Sequence, residues 1–190
     1  MTWALLVLSA YVAGSVNFSI LLFRLLGFGD PRERFSGNPG VTNVYRQAGP
    51  PWAGAVLCLD MGRSAGVCLL ALWLGWPGLL PWVALGLLVG NRWPAFHGFS
   101  GGKGVANYLG FTLAAAPLHA LVSGAMWFAV TKPTGQPFLG SFAMVAVLST
   151  GLYVASGGGP VAMAGVLACT VFIVWNHLKN IREFVGQRPK

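Results

Sequence analysis

The chain has 190 residues, 55% of them hydrophobic and 8% charged, with 12 Lys and Arg against 4 Asp and Glu and a formal net charge of +8. A mean hydropathy of +0.67 excludes a water-soluble domain, which needs more polar surface to cover its core, and points to an integral membrane protein. The basic excess sits almost wholly between apolar segments, which argues against nucleic acid as a partner and for anionic lipid headgroups and phosphorylated ligands.

In chain order, seven apolar segments predict helices over about 3–26, 52–76, 78–91, 104–116, 118–131, 138–155 and 160–176. Several are shorter than the ~20 residues of a full span, so a bundle with short and broken helices is expected. The stretch from Met1 to Phe23 is too long and too weakly basic at its start for a cleaved signal peptide, and is read as the first span. The stretch 104–130 can be drawn as one helix, but Pro117 removes a backbone donor and favours a split.

Lys and Arg placement supports that split, because short cytoplasmic loops are enriched in them. With a break at Pro117, Arg24, Arg32, Arg34, Arg46, Arg92, Lys103, Lys132, Lys179, Arg182, Arg188 and Lys190 fall on one side, eleven of the 12 basic residues. The opposite loops, near Gly75–Gly78 and Ser156–Pro160, hold none. The expectation is an all-α integral membrane protein, a seven-transmembrane-helix bundle forming a single membrane-embedded domain over 1–190. Its N-terminus lies outside and its C-terminus in the cytoplasm. The tract Gly157-Gly158-Gly159-Pro160 reads as an outer turn.

Three polar stretches interrupt the apolar pattern: Ser36-Gly37-Asn38-Pro39-Gly40-Val41-Thr42-Asn43-Val44-Tyr45-Arg46, Phe99-Ser100-Gly101-Gly102-Lys103-Gly104-Val105, and His177-Leu178-Lys179-Asn180-Ile181-Arg182. Small residues let backbone N–H groups converge on an anion, while Lys and Arg bring charge and Ser, Thr and Asn bring neutral hydrogen bonds. Gly101-Gly102-Lys103-Gly104 entering a helix suits an anion at a helix N-terminus. It lacks the first Gly and the final Ser or Thr of a P-loop, which argues against nucleotide hydrolysis. The topology places all three stretches on the cytoplasmic face, where they form one expected phosphate site.

Other polar residues carry blander readings. Cys58, Cys68 and Cys169 lie in apolar runs with no metal-ligand spacing and are expected to be buried packing residues. His119 reads as packing or an interfacial contact, and His97 as an interfacial loop residue. Asp60 and Arg63, three apart on one helix, share a face and are expected to pair, since an unpaired charge at that depth costs about 2.5–3.5 kcal/mol. A role in orienting Lys103 or Arg46 is the other reading of that pair.

Taken together, Gly14-Ser15, Ser36 to Asn43 with Arg46, Phe96 with Phe99, Gly101-Gly102-Lys103-Gly104-Val105-Ala106, and His177 with Asn180-Ile181-Arg182 resemble the bacterial acyl-phosphate-dependent glycerol-3-phosphate acyltransferases, the PlsY family. The resemblance runs almost end to end. It implies seven membrane helices and transfer of a fatty acyl group from acyl phosphate to the 1-hydroxyl of sn-glycerol 3-phosphate. It implies no metal, cofactor or acyl carrier protein, no obligate protein partner, and a bacterial inner-membrane location. Four positions depart from the pattern: Asn91 where His is common, Arg63 where Lys is, Gln187 where an acidic residue is usual, and Phe138 for the first Ser of a segment in which Ser141 remains.

The expected site therefore has Lys103, Arg46 and His177 as catalytic candidates. Ser36, Gly37, Asn38, Gly40, Thr42, Asn43, Gly101, Gly102, Gly104, Ser141 and Asn180 are the substrate-binding candidates. An acyl phosphate is already activated, so positioning and charge neutralisation are the main tasks. The acceptor's own phosphate, with a second pKa near 6 by analogy with phosphorylated side chains, can take the proton, and His177 is read as binding and polarising. The competing reading is a small anion channel or transporter for phosphorylated solutes, although a conducting path would place polar residues through the membrane. A metal-dependent phosphotransferase needs more carboxylates than four acidic residues allow.

Overall fold

The computed structural model describes residues 3–186, all of whose regular structure is helical. Gln187, Arg188 and Lys190 lie outside the described residues. The first apolar segment forms two helices, α1 (Trp3–Gly14) and α2 (Phe18–Leu25). The break follows from Asn17, whose backbone is extended and whose Oδ1 accepts from the Ile20 N–H at 3.1 Å, a capping bond that Asn makes better than it sits inside a helix. The first polar stretch contains a short helix, α3 (Val41–Ala48).

The remaining apolar segments become α4 (Pro50–Trp73), α5 (Leu80–Arg92), α6 (Val105–Ala115), α7 (Pro117–Thr134), α8 (Pro137–Ala155) and α9 (Gly159–Asn176), followed by α10 (Leu178–Gly186). The split at Pro117 is present: Ala116 has φ −147° and Pro117 begins α7, where its missing N–H has no turn to serve. Four stretches are long and apolar enough to cross a membrane: Trp3–Leu25, Pro50–Trp73, Pro137–Ala155 and Gly159–Asn176. The helix Val105–Ala115 is apolar but shorter.

Helices approach closely where glycine permits. A Cβ on Gly86 would sit 2.8 Å from the Val7 carbonyl, and one on Gly90 would strike that of Tyr11, so α1 lies directly on α5. Gly110 of α6 sits in the same way on Met61 of α4, and Gly140 of α8 on Trp127 and Thr131 of α7. The main core gathers Leu6, Leu87, Tyr108, Phe111, Leu148 and Ile173. A smaller cluster of Phe23, Val44, Ala53 and Val56 seats α3 against α2 and α4.

Cys68 and Cys169 are buried, but Cys58 is exposed, which corrects the expectation for it. In a chain whose outer surface faces lipid, an apolar residue is as well placed outside as inside, so hydrophobicity alone does not mark the core. His119 packs against α8, where a Cβ on Gly151 would meet its own Cβ at 2.5 Å.

Candidate active site

A cavity of about 650 Å³ is walled by parts of all three polar stretches. Ser36, Asn38, Gly40, Thr42, Asn43 and Arg46 come from the first, Gly102, Lys103 and Gly104 from the second, and His177 and Asn180 from the third, with Ser141 added from α8. Leu57, Leu109, Gly124, Trp127, Phe128 and Met144 supply apolar wall. Gly37 and Gly101 are not among the lining residues. Gly101 shapes its loop from behind instead, against Asn91 and Pro94, and Gly37 makes a left-handed turn at φ 68°.

Two helices begin at this cavity without a side-chain cap. α3 opens after Gly40, and α6 after Gly104, whose φ of 94° places it in the left-handed region that glycine tolerates. Uncapped first-turn N–H groups and the positive end of the helix dipole favour an anion at each start.

The second loop is folded back on the end of α5. The Gly101 N–H donates to the Arg92 carbonyl at 3.1 Å and the Gly102 N–H to that of Asn91 at 2.9 Å. A Cβ at Gly101 would strike the Asn91 carbonyl and come within 2.7 Å of the Pro94 ring, and one at Gly102 would lie 2.9 Å from the Asn91 amide. Asn91, one of the positions departing from the family pattern, therefore forms the floor on which the glycine loop rests.

Lys103 is fixed from the opposite side. Its ammonium donates to the Asn180 side-chain carbonyl, and its backbone carbonyl accepts from the Asn176 amide at 3.3 Å. Burial lowers its pKa to about 8, opposed by Glu183 and assisted by the charges of Lys179, Arg46 and Arg92.

His177 follows α9 directly, and its Nδ1 lies 2.8 Å from the Ile173 carbonyl. A carbonyl only accepts, so Nδ1 carries the hydrogen and Nε2 is left as an acceptor. Burial pushes the ring down to about 4, against the pull of that hydrogen bond and with help from the Lys103 charge. The imidazole is neutral at physiological pH. Phe142 stacks edge-on against it at 5.3 Å between centroids, and Phe138, another of the departing positions, packs on Phe142 at 5.7 Å.

In the first stretch, the Asn43 amide donates to the Pro31 carbonyl at 2.8 Å and to Arg34 at 3.3 Å. Its NH₂ thus braces the loop, while Oδ1 is buried without a partner. Ser36 Oγ accepts from the Asn38 N–H at 3.4 Å. Ser141 Oγ donates to the Pro137 carbonyl at 3.0 Å, which leaves its lone pairs available.

The expected Asp60–Arg63 pair is present at 3.0 Å. Asp60 also lines the cavity. Arg63 further donates to the Asn107 side-chain oxygen on α6 and to the Val16 carbonyl at the α1–α2 break, and it lies over the Phe18 ring at 5.2 Å. Ser64 Oγ donates to the same Asn107 oxygen at 3.0 Å. One side chain at the departing position 63 thus joins the broken first segment, α4 and α6.

Two further polar residues tie the loops together. His97 is buried rather than interfacial, because its Nε2 accepts from the Asn17 N–H at 3.2 Å. Arg32 pairs with Asp30 at 2.6 Å and donates to the carbonyls of His97 at 2.7 Å and Ser100 at 3.0 Å. The hydrogen bond from Arg32 holds the Asp30 carboxyl below its usual range, against the effect of burial. The local Asp-Pro-Arg spacing signals the pair, but the carbonyls it reaches are over 60 positions away (separations of 65 and 68).

A family model described as Glycerol-3-phosphate acyltransferase matches residues 4–187. The chain is 36% identical over 192 positions to a glycerol-3-phosphate acyltransferase of Pseudomonas paraeruginosa (strain DSM 24068 / PA7), covering 100% of this chain and 99% of that protein. It is 37% identical over 187 positions to one from Thioalkalivibrio sulfidiphilus (strain HL-EbGR7), covering 97% and 92%. The structure is similar to crystal structures of PlsY (YgiH), an integral membrane glycerol 3-phosphate acyltransferase. The glycerol 3-phosphate form superposes with a TM-score of 0.87 at 30% identity over 98% of this chain and 94% of that one. The lysophosphatidic acid form gives a TM-score of 0.82 at the same identity and coverage.

Proposed function

The chain belongs to the glycerol-3-phosphate acyltransferase family, and from that premise we propose that it moves a fatty acyl group from acyl phosphate to the 1-hydroxyl of sn-glycerol 3-phosphate. It is a multi-pass integral membrane enzyme of phospholipid synthesis. The observation that carries the donor assignment is the cavity itself: two uncapped helix starts and a partly buried lysine, together with an apolar lining from α4, α6, α7 and α8. That combination suits an anionic head on a hydrocarbon tail together with a second phosphate.

In this reading Lys103 and the start of α6 hold one phosphate, and Arg46, Ser36, Thr42 and the start of α3 hold the other. Asn180 keeps the Lys103 ammonium in place, and Asn43 and Asn38 keep the first loop in shape. The acceptor oxygen attacks the acyl carbonyl carbon, the bond from that carbon to the phosphate oxygen breaks, and inorganic phosphate leaves. Nε2 of His177 accepts a hydrogen bond from the attacking hydroxyl and orients it. With a conjugate acid near 4 it is a weak base, so the proton passes to the acceptor's own phosphate. Lys103 and the helix N-termini neutralise the departing charge.

In the same reading the chain has seven spans with its N-terminus outside, residues 1–190 act as one membrane-embedded acyltransferase domain, and the cavity opens at the cytoplasmic face of the bacterial inner membrane; the support is the concentration of Lys and Arg in the connections that carry the cavity residues. The reading needs no metal, cofactor or protein partner. Purified protein given palmitoyl phosphate or palmitoyl-CoA beside glycerol 3-phosphate tests it. Lysophosphatidate is expected from the first donor, unaffected by chelator. Product from the thioester alone, or activity restored only by a divalent ion, would refute the donor assignment.

A further inference from the structure

Phe35, Phe96 and Phe99 stand 68%, 59% and 61% exposed on the two loops that lead into the cavity walls. Phe35 adjoins Ser36, and Phe99 lies three residues before Gly102; both of those neighbours line the cavity. Phe35 has φ 53° and Phe99 φ 52°, and they are the non-glycine residues with positive φ among the described residues. A bulky aromatic is a poor choice for the left-handed region, where Gly or Asn makes the same turn without strain. Turn geometry alone therefore does not account for them. A strained residue that a cheaper one could replace points to use of its side chain.

The loops are held in fixed relation. Arg32, itself paired with Asp30, donates to the carbonyls of His97 and Ser100, so the segment bearing Phe35 is stapled to the one bearing Phe96 and Phe99. Phe28, on the same connection as Phe35, is packed on Phe23 and Trp52. Exposed Leu25, Trp93 and Trp175 at the adjoining helix ends carry the apolar surface up to the loops, and exposed Arg24 and Arg34 stand beside it. Aromatic rings flanked by arginine at the ends of spanning helices match the interfacial layer of a bilayer. A soluble protein partner would not require that continuity with the lipid-facing band.

We propose that Phe35, Phe96 and Phe99 form a rigid aromatic rim that seats in the headgroup–acyl boundary at the mouth of the cavity, so that a long-chain donor is drawn from the membrane. This rests on the assignment of acyl phosphate as donor. An acyl phosphate with a long tail partitions into the bilayer with its phosphate at that boundary. A rim seated there brings the donor's head level with the walls formed by Ser36 and Gly102.

Nitroxide labels test the seating directly. In a variant lacking Cys58, Cys68 and Cys169, labels carried by Phe35→Cys and Phe96→Cys in phosphatidylethanolamine–phosphatidylglycerol vesicles should collide more with oxygen than with a water-soluble nickel chelate. A label at Arg34→Cys should do the reverse. Labels at 35 and 96 that favour nickel overturn the proposal, including the case in which they become shielded only when cytosolic protein is added. The donor role is tested with Phe35→Asn/Phe99→Asn, which keeps the left-handed turns, and with Phe96→Ser. With palmitoyl phosphate in vesicles the KM for donor should rise about tenfold, while the KM for glycerol 3-phosphate stays as in the parent chain. An unchanged donor KM overturns the role in donor capture. A chain inactive with acyl phosphate would refute the preceding reading of function, and the labels would still decide the seating.

Discussion

The Lys103 ammonium donates to the side-chain carbonyl of Asn180, 77 positions further along the chain. This bond joins the glycine loop before α6 to α10, and the Asn176 amide returns to the Lys103 carbonyl from the end of α9. The third polar stretch thus serves to hold the cation of the second. A lysine with several rotatable bonds would otherwise give up much of its contact energy to ordering.

Lys103→Ala and Arg46→Ala each remove a cation from a proposed phosphate contact, and bonds to charged groups are worth roughly 1.5–3 kcal/mol. Activity should fall by about tenfold or more in each, by steady-state assay of lysophosphatidate. Asn180→Ala leaves the charge but frees it, so a smaller loss, expressed mainly in KM, is expected.

The pH profile separates binding from proton transfer. Lys103, held down to about 8 by burial, carries its charge below that value and loses it above, so kcat/KM should decline on the alkaline side of about 8. Lys103→Arg should remove that limb. The acid limb is expected near the second phosphate ionisation, about 6, and should remain in His177→Asn, which keeps turnover with a raised KM for glycerol 3-phosphate. If that variant binds the acceptor normally and shows no turnover, His177 is the base.

Gly101→Ala should disable the loop although residue 101 does not line the cavity. Its Cβ has no room between the Asn91 carbonyl and Pro94, so the Gly102–Lys103 segment must shift. Loss of about a hundredfold in activity is expected, since a misplacement of about 1 Å can cost that much. Gly54→Ala on α4, where a Cβ meets nothing within 4 Å, should be silent in the same assay.

Arg63→Ala leaves Asp60 and the Asn107 oxygen without their shared donor in a buried setting. Breaking a buried pair from one side costs about 3–5 kcal/mol, so the thermal unfolding midpoint in detergent should drop sharply. The double replacement Asp60→Asn/Arg63→Gln, which removes both charges, should recover part of that loss. A midpoint unchanged by Arg63→Ala would show that the junction of α4, α6 and the α1–α2 break does not depend on it.

Much of the helical layout was legible because apolar runs are long and Pro117 marks a break with a physical cause. The α1–α2 break was not, since Asn17 is indistinguishable from any other polar residue in a span until its cap to Ile20 is seen. α3 was hidden inside a glycine-rich stretch that reads as loop by composition. Residue types and order brought Ser36, Thr42, Arg46, Lys103, His177 and Asn180 to the same cavity. Order could not tell that Gly101 acts from behind the wall, that Asn43 spends its amide on Pro31 and Arg34, or that Cys58 faces outward. Each of those depends on which way a backbone turns, and hydrophobicity is silent on direction in a lipid-facing chain.

Acyl transfer from acyl phosphate to glycerol 3-phosphate at the Lys103–Arg46 cavity ties phosphate release to product formation. The most direct measurement is inorganic phosphate released from palmitoyl phosphate by the purified protein, with and without glycerol 3-phosphate, beside the lysophosphatidate formed. Phosphate release that depends on the acceptor and matches lysophosphatidate one for one is expected. Phosphate released equally without acceptor, or acceptor consumed without phosphate release, would contradict the account.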